Sequence, residues 1–297
     1  MAETLLLRYG ELALKSAPVR REFEGRLRGN LLKAFLRAGV ECTVTSDHGH
    51  LYLGVADARE AIPVARRVFG LVSVSPVVVL PTDLDALSEH VVRHARDWKE
   101  GTRFAIRTRR TGTHPFTSHD VDVRLGADVL RALEDRRFKV DLTAPEAEIE
   151  VEIRGPRTYV YTERFPGPGG FPVGVAGNVG AHVTGIRGAL GAWMMMKRGC
   201  RVYPVGNPSE PGLLDTLARY DPDLDITRSA PDEAGAWTLL GELGVRYRLA
   251  GVALPLSVEE YPRARAHWGE TVIFSPTVGM TDSEVEARWH EIEELAR

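Results

Sequence analysis

Cysteine is almost missing from this chain: among 297 residues only Cys42 and Cys200 occur, far apart and with no second thiol near either. That excludes a disulfide framework and a cysteine-built metal site. The nine histidines are scattered without ligand spacing, so no metal is expected through them. Long apolar runs are missing too. The opening MAETLLLRYG places an acidic residue before a run too short for a signal peptide or a membrane span, so a cytoplasmic protein without membrane contact is expected. Lysine is scarce, five residues against 33 arginines. Positive charge is therefore carried by guanidinium groups, whose planar forks suit bidentate phosphate contacts. There is no overall excess of it, since the formal net charge is −3. Its distribution is uneven: residues 1–173 carry +2 and residues 174–297 carry −5.

What is present suits a folded α/β chain of two or three domains, with 43% hydrophobic and 27% charged residues. Residues 4–9 read as a strand ended by Gly10. From 19 to 38, Phe23, Leu27, Leu31, Leu32 and Phe35 recur at helical spacing, with Arg20, Arg21, Arg26, Arg28 and Arg37 between them. Gly39 is placed to cap that helix. Strands follow at 41–45 and 51–55, then a helix at 61–68, a strand at 72–79 and a helix at 84–98. Residues 103–110, RFAIRTRR, alternate apolar and basic, which sets Phe104 and Ile106 on one face and Arg103, Arg107 and Arg109 on the other. The strand runs into a hydroxyl-rich, aromatic-bearing turn at 111–118. Two readings stay open at this point: a phosphate-binding ridge, or an exposed edge strand protected by its charge. A helix at 120–133 and strands at 148–154 and 158–163 complete the stretch.

The order of motifs FGL at 69–71, RFAIRTRR, HPFTS, LGADVL, KVDLTAPEAEIEVEIRG, YVY and GPGGFPVG resembles the THUMP domain, a small α/β RNA-binding module of RNA-modifying enzymes. LLRYGELALKS, with Asn30 in the next helix, resembles the ferredoxin-like domain that precedes THUMP in tRNA 4-thiouridine sulfurtransferases. The resemblance implies that the front half grips the acceptor end of tRNA. Carried over position by position, it implies RNA contacts at Arg8 and Lys15, and at Arg107, Arg109, Arg110, His114, Phe116 and Ser118, with Arg124 and Lys139 behind them. For Phe116, a core aromatic and a base-stacking surface aromatic are equally compatible with the sequence.

The same family continues with a PP-loop ATP pyrophosphatase domain whose loop resembles S-G-G-x-D-S-P and whose next helix closes in M-M-K-R-G. That ending stands here at 195–199, and counting back puts the loop on Val183, Thr184, Gly185, Ile186, Arg187, Gly188 and Ala189. Both serines and the aspartate are missing. An arginine in place of the carboxylate repels a metal while still attracting phosphate. The resemblance therefore implies a chain that does not adenylate RNA by itself, with any residual nucleotide contact resting on Thr184, Gly185, Arg187 and Gly188. The Met194–Met196 run is read as core packing. The family's sulfur-transferring thiol has no counterpart; Cys200 is read as a buried small residue, and no rhodanese domain follows.

Beyond this come a strand at 201–205, helices at 211–219 and 232–243, strands at 247–254 and 271–275, and a helix at 281–295 opened by the capping sequence Thr281-Asp282-Ser283-Glu284. Residues 274–280 resemble the family's terminal PLIGM element. The run Asp221-Pro222-Asp223-Leu224-Asp225 is read as a solvent-exposed acidic loop and not a metal cluster. The expected architecture is a ferredoxin-like N-terminal domain (1–58), an α/β THUMP domain (59–166), a linker (167–174) and a shortened, Rossmann-like parallel-sheet domain of the PP-loop pyrophosphatase type (175–297). The expected function is tRNA binding without self-sufficient catalysis, alone, as a homodimer, or beside a catalytic partner protein. The alternative is a divergent sulfurtransferase that still uses ATP and magnesium for 4-thiouridine synthesis or thiamine-linked sulfur transfer. A third reading is a scaffold that binds no RNA.

Overall fold

The computed structural model describes residues 3–10, 16–47 and 50–297, with only the backbone of Asp47. In chain order the elements are β1 (Glu3–Tyr9), α1 (Ala17–Ala38), β2 (Cys42–Asp47), β3 (His50–Val55), α2 (Ala58–Ala65), β4 (Leu71–Pro81), α3 (Leu84–Ala95), β5 (Arg103–Thr111) and α4 (Ser118–Ala132). Strands β6 (Lys139–Val140), β7 (Ala147–Arg154), β8 (Arg157–Tyr161), β9 (Phe165–Pro166) and β10 (Asn178–Val183) lead to α5 (Gly185–Lys197). The chain ends through β11 (Arg201–Gly206), α6 (Pro211–Ala218), α7 (Glu233–Tyr247), β12 (Val252–Ala253), α8 (Tyr261–Trp268), β13 (Ile273–Phe274) and α9 (Asp282–Ala296). These elements form two compact units, one of residues 1–6 and 75–164, the other of residues 7–74 and 165–297. Among the described residues no helix is long and apolar enough to cross a membrane.

In the first unit β7 pairs antiparallel with β8 and parallel with β5, which also takes β6 parallel on its other side. The period-two pattern of β5 and β7 puts Phe104, Ile106, Ile149, Val151 and Ile153 on one face. They meet Leu87, Val91 and Ala95 of α3 and Val121, Leu125 and Val129 of α4 in one core. Helix α4 starts where the sequence supplies a reciprocal cap: Asp120 N–H donates to the Thr117 hydroxyl, and the Thr117 N–H donates back to the Asp120 carboxylate.

In the second unit α1 buries Leu27, Leu31 and Phe35 and is stopped by Gly39 at φ +69°, as its apolar spacing predicts. The proline- and glycine-rich stretch at 167–174 is held to its neighbours at close range. Asn30 Nδ2 donates to the Val173 carbonyl at 3.1 Å, Phe171 lies edge-on to Phe23, and a Cβ on Gly170 would stand 2.1 Å from the Lys197 carbonyl oxygen, so only glycine fits. The parallel sheet beyond runs β11-β10-β12-β13. Val179, Ala181 and Val183 of β10 face the core made with α5, α6 and α9, while Val205, Val252 and Leu254 face the core made with α7 and α8.

Two expectations are corrected, and two elements come in addition. The strand anticipated at 247–254 shrinks to Val252–Ala253, because α7 continues to Tyr247 and ends only where Arg248 takes a left-handed conformation at φ +50°. Strand β10 and helix α8 were not anticipated. Small residues in β10 conceal its strand character: a Cβ on Gly180 would meet the side-chain ends of Leu240 and Leu249 at 2.9 and 3.0 Å, so α7 and the residues just after it pack closely over the glycine. The acidic loop is not solvent-exposed as a whole. Asp221 is 6% exposed, Asp223 pairs with Lys33 and Arg201, and Asp225 pairs with Arg228. The methionines and Cys200 do pack in the core.

Candidate functional site

On β5 Arg103, Arg107 and Arg109 stand opposite the core face, where a second row of charge meets them, while Arg110 follows Phe104 and Ile106 in the alternation and emerges on the helix side at the strand's end. Strand β7 runs beside β5 in parallel register and presents Glu148 and Glu150. Arg107 donates from Nε to Glu148 at 2.6 Å and from Nη2 to the Leu142 carbonyl at 3.0 Å, and Glu148 holds its pKa above the ordinary arginine value. Arg103 is tied to Asp141 and Glu146. Arg109 is looser: its side chain is 60% exposed and its nearest carboxylate, Glu150, lies at 4.0 Å. Among the described residues Arg110 donates only to the Gly112 carbonyl of its own turn, at 3.1 Å. The positive charge available to a ligand is therefore concentrated at the end of the strand, on Arg109 and Arg110.

The turn that follows continues that end. Gly112 takes φ +95°, and His114 stacks on Phe116 with ring centroids 5.5 Å apart and planes 19° from parallel. Phe116 is half-buried and packs against the unit's core, with His114 on its outer face. Ser118 is half-buried in the first turn of α4. Asp122, pushed upward by burial, accepts the Thr108 N–H at 2.8 Å and fixes the strand to α4. Arg124 is exposed yet committed to Asp85 at 2.7 Å and Asp128 at 2.9 Å, and Lys139 is exposed on β6. Of the two positions before α1, Lys15 lies outside the described residues. Arg8 is 7% exposed on β1, so the expectation of a surface RNA contact there does not match its place inside the fold.

A second candidate lies where β10 hands over to α5. Because β11 and β12 flank β10 on opposite sides, the ends of β10 and β12 form the reversal point at which open parallel sheets usually seat ligands. The loop residues there are already engaged. Gly185, at φ +59°, donates its N–H to Glu210 Oε2 at 2.9 Å, so a carboxylate from the segment before α6 holds the amide at the start of α5. Thr184 caps nothing with its side chain. Arg187 donates to the carbonyls of Thr277 and Met280 at 2.9 and 3.0 Å and to Asp282 at 2.7 Å, bracing the elbow before α9. Gly188 is a packing residue, since a Cβ would lie 2.7 Å from the His182 carbonyl oxygen.

The adjoining cavity, about 430 Å³, is lined by Arg187, Leu256, Glu259, Glu260, Met280 and Asp282. These residues do not fit a pyrophosphate seat, because the amide and the guanidinium are engaged and the rest of the charged lining is acidic. Cys200 is 6% exposed and Cys42 half-buried, and burial pushes both thiols above the ordinary thiol value. Glu210 was not anticipated. Its only sequence signal is an acidic residue immediately before the helix-opening Pro211.

Against known proteins, a ThiI ferredoxin-like domain model matches residues 4–75 and a THUMP domain model matches residues 81–163. The chain is 38% identical over 216 residues to a probable tRNA sulfurtransferase of Methanothermobacter thermautotrophicus, covering 70% of this chain and 54% of that one. It is 40% identical over 207 residues to a tRNA sulfurtransferase of Pyrobaculum aerophilum, covering 67% and 40%. The chain thus spans about half the length of these curated relatives. Among solved structures, PH1313 from Pyrococcus horikoshii superposes with a TM-score of 0.83 at 25% identity, covering 98% of this chain and 99% of that one. A 4-thiouridine synthetase solved with RNA and ATP superposes at 0.77 and 17% identity over 100% and 86%, a likeness of fold alone.

Proposed function

The chain belongs to the tRNA sulfurtransferase family that joins a ThiI-type ferredoxin-like domain to a THUMP domain, and on that premise we propose that it is a tRNA-binding protein that does not adenylate RNA by itself. Residues 1–58 and 59–166 grip the acceptor end, and 175–297, joined through 167–174, retain the sheet of the catalytic domain without its reactive loop. The observation that carries RNA binding is the end of β5, where Arg109 and Arg110 are the least neutralised arginines of the strand and stand within a few residues of the stacked His114–Phe116 pair. Phosphates would meet the guanidinium groups and an unpaired base the outer aromatic face. Arg107 lends its charge through a pair with Glu148 that a phosphate must compete with. Glu210 and Arg187 support the second half of the reading, because they occupy the loop's donor and bracing positions with internal partners. Such a chain acts as a binding module, as a homodimer, or beside a catalytic partner.

Filter binding with tRNA tests the first half. Arg109→Glu with Arg110→Glu is expected to weaken binding about tenfold or more, through lost and reversed phosphate contacts; unchanged affinity removes the ridge from the interface. A second reading is a divergent enzyme that uses ATP and magnesium with substitute residues for tRNA thiolation; the volume of the cavity beside Arg187, about 430 Å³, speaks for it, and the cavity's acidic lining and engaged guanidinium speak against it. Incubation with tRNA, ATP-magnesium and a sulfide donor separates the two. Stoichiometric AMP release would establish the enzyme and end the first reading.

A further inference from the structure

In the unit of residues 7–74 and 165–297, three arginines from distant parts of the chain converge on one hollow. Arg37 comes from the last turn of α1, Arg67 from the turn just beyond α2, and Arg219 from the end of α6. Together with Asp215 and apolar walls that include Val64 and Ile226, they line a cavity of about 420 Å³. That volume is within the usual range of small-molecule sites. None of the three has a carboxylate partner among the described residues. Each donates from Nη1 to a backbone carbonyl: Arg37 to Pro222, and both Arg67 and Arg219 to Ala296, at 3.0 and 3.1 Å.

Two guanidinium groups that share one carbonyl acceptor repel each other. The Arg67 pKa is pushed down first by burial and then by the charge of Arg219. The nearby ends of α1, α2, α6 and α9 offer partial negative charge, on the order of half a unit each at most, which offsets the arginines only in part and falls away within a turn. A guanidinium has five N–H donors, and one bond each leaves most of them to serve a ligand. Asp215 is exposed and lies in no ion pair with any of the three. A tetrahedral oxyanion answers this arrangement, because it accepts from several forks at once and relieves the repulsion between them.

We infer that Arg37, Arg67 and Arg219 form a phosphate-binding site, separate from the β5 ridge and from the loop at 183–189, that takes the phosphoryl group of a nucleotide-sized ligand against the apolar wall. Two sources share this chemistry: a nucleotide within an RNA strand and a free phosphate species.

Thermal melts of the full chain with inorganic phosphate, and affinity titrations with a short RNA bearing a 5′-phosphate against its 5′-hydroxyl twin, test the site. Phosphate is expected to raise the midpoint of the unaltered chain and of the Arg109→Glu/Arg110→Glu variant alike, which keeps this result distinct from the ridge. Arg37→Gln with Arg219→Gln changes only exposed side chains and so should preserve the fold, as the unliganded melt will verify. It is expected to abolish the phosphate-dependent rise and to raise the dissociation constant of the 5′-phosphorylated RNA by about tenfold or more. Arg67→Gln should act in the same direction. A loss confined to the RNA arm identifies an RNA strand as the source; a loss in the phosphate arm identifies a free phosphate species. A phosphate response and RNA affinity that are the same in the unaltered and pocket-variant chains, or no response of the unaltered chain to any probe, would overturn the site.

Discussion

Asp221 is a carboxylate in the wrong solvent. One of its oxygens accepts the Asp223 N–H at 3.0 Å, while Oδ2 is buried without a hydrogen-bond partner. Burial raises its pKa above the ordinary carboxylate value. The folded state therefore holds its proton more tightly than the unfolded state does. The penalty for ionising it is complete above the folded pKa, shrinks as pH falls through that value, and is gone below the unfolded pKa. Asp223, two residues on, has the opposite sign. Its pKa is lowered, first by the hydrogen bond from Lys33, so the stability it contributes is present above the unfolded pKa and is lost as pH falls through the folded one. Asp221→Asn is expected to stabilise the chain by about 1 kcal/mol at neutral pH, with the gain shrinking toward about pH 4. Urea denaturation at both pH values checks this, and a loss of stability at neutral pH would mean that the ionised group is satisfied after all. The sequence shows three aspartates at alternate positions; it does not show that the first is buried and lines one small hollow with Phe69, Tyr220 and, from α1, Asn30 and Ala34.

At the level of elements, legibility follows the range of the interactions that make each one. Helices α4 and α9 open on caps completed within four residues, and strand β5 declares itself by alternation, so all three could be read directly. For α9, Glu284 N–H donates to the Thr281 hydroxyl and the Thr281 N–H donates back to Glu284. Thr281→Ala is expected to cost about 1 kcal/mol, measured by chemical denaturation, because α9 supplies Val285, Trp289 and Ile292 to the core. An unchanged midpoint would show that Arg187, which bonds Asp282, fixes the helix start without the cap. Strand β10 is the converse case. Its small residues form a strand because β11 and β12 lie on either side, partners that its own sequence does not encode. The candidate ridge divides in the same way. Its arginines are visible in RFAIRTRR, but the neutralisation of Arg107 comes from Glu148, 41 residues on, through the parallel register of β5 and β7.

For the whole molecule, a net charge of −3 means that an RNA ligand meets no general attraction, and affinity must come from a few local contacts. Binding of tRNA is accordingly expected to fall steeply with salt. The slope of log affinity against log salt should become shallower by about two in the Arg109→Glu/Arg110→Glu variant, one for each phosphate contact removed. Filter binding across a salt series measures it, and parallel slopes would place the contacts elsewhere. The family architecture was legible because its motifs keep their order along the chain, whereas the state of the loop at 183–189 was only half legible. Its missing serines and aspartate are visible in the sequence; the carboxylate that accepts from the Gly185 amide is not. Glu210 is tethered beside the Gly185 amide, so it competes for that donor at an effective concentration on the order of millimolar or above, whatever the solution contains. Any phosphate arriving there must displace a resident that never diffuses away, and its apparent affinity is divided by that competition before any other contact is counted.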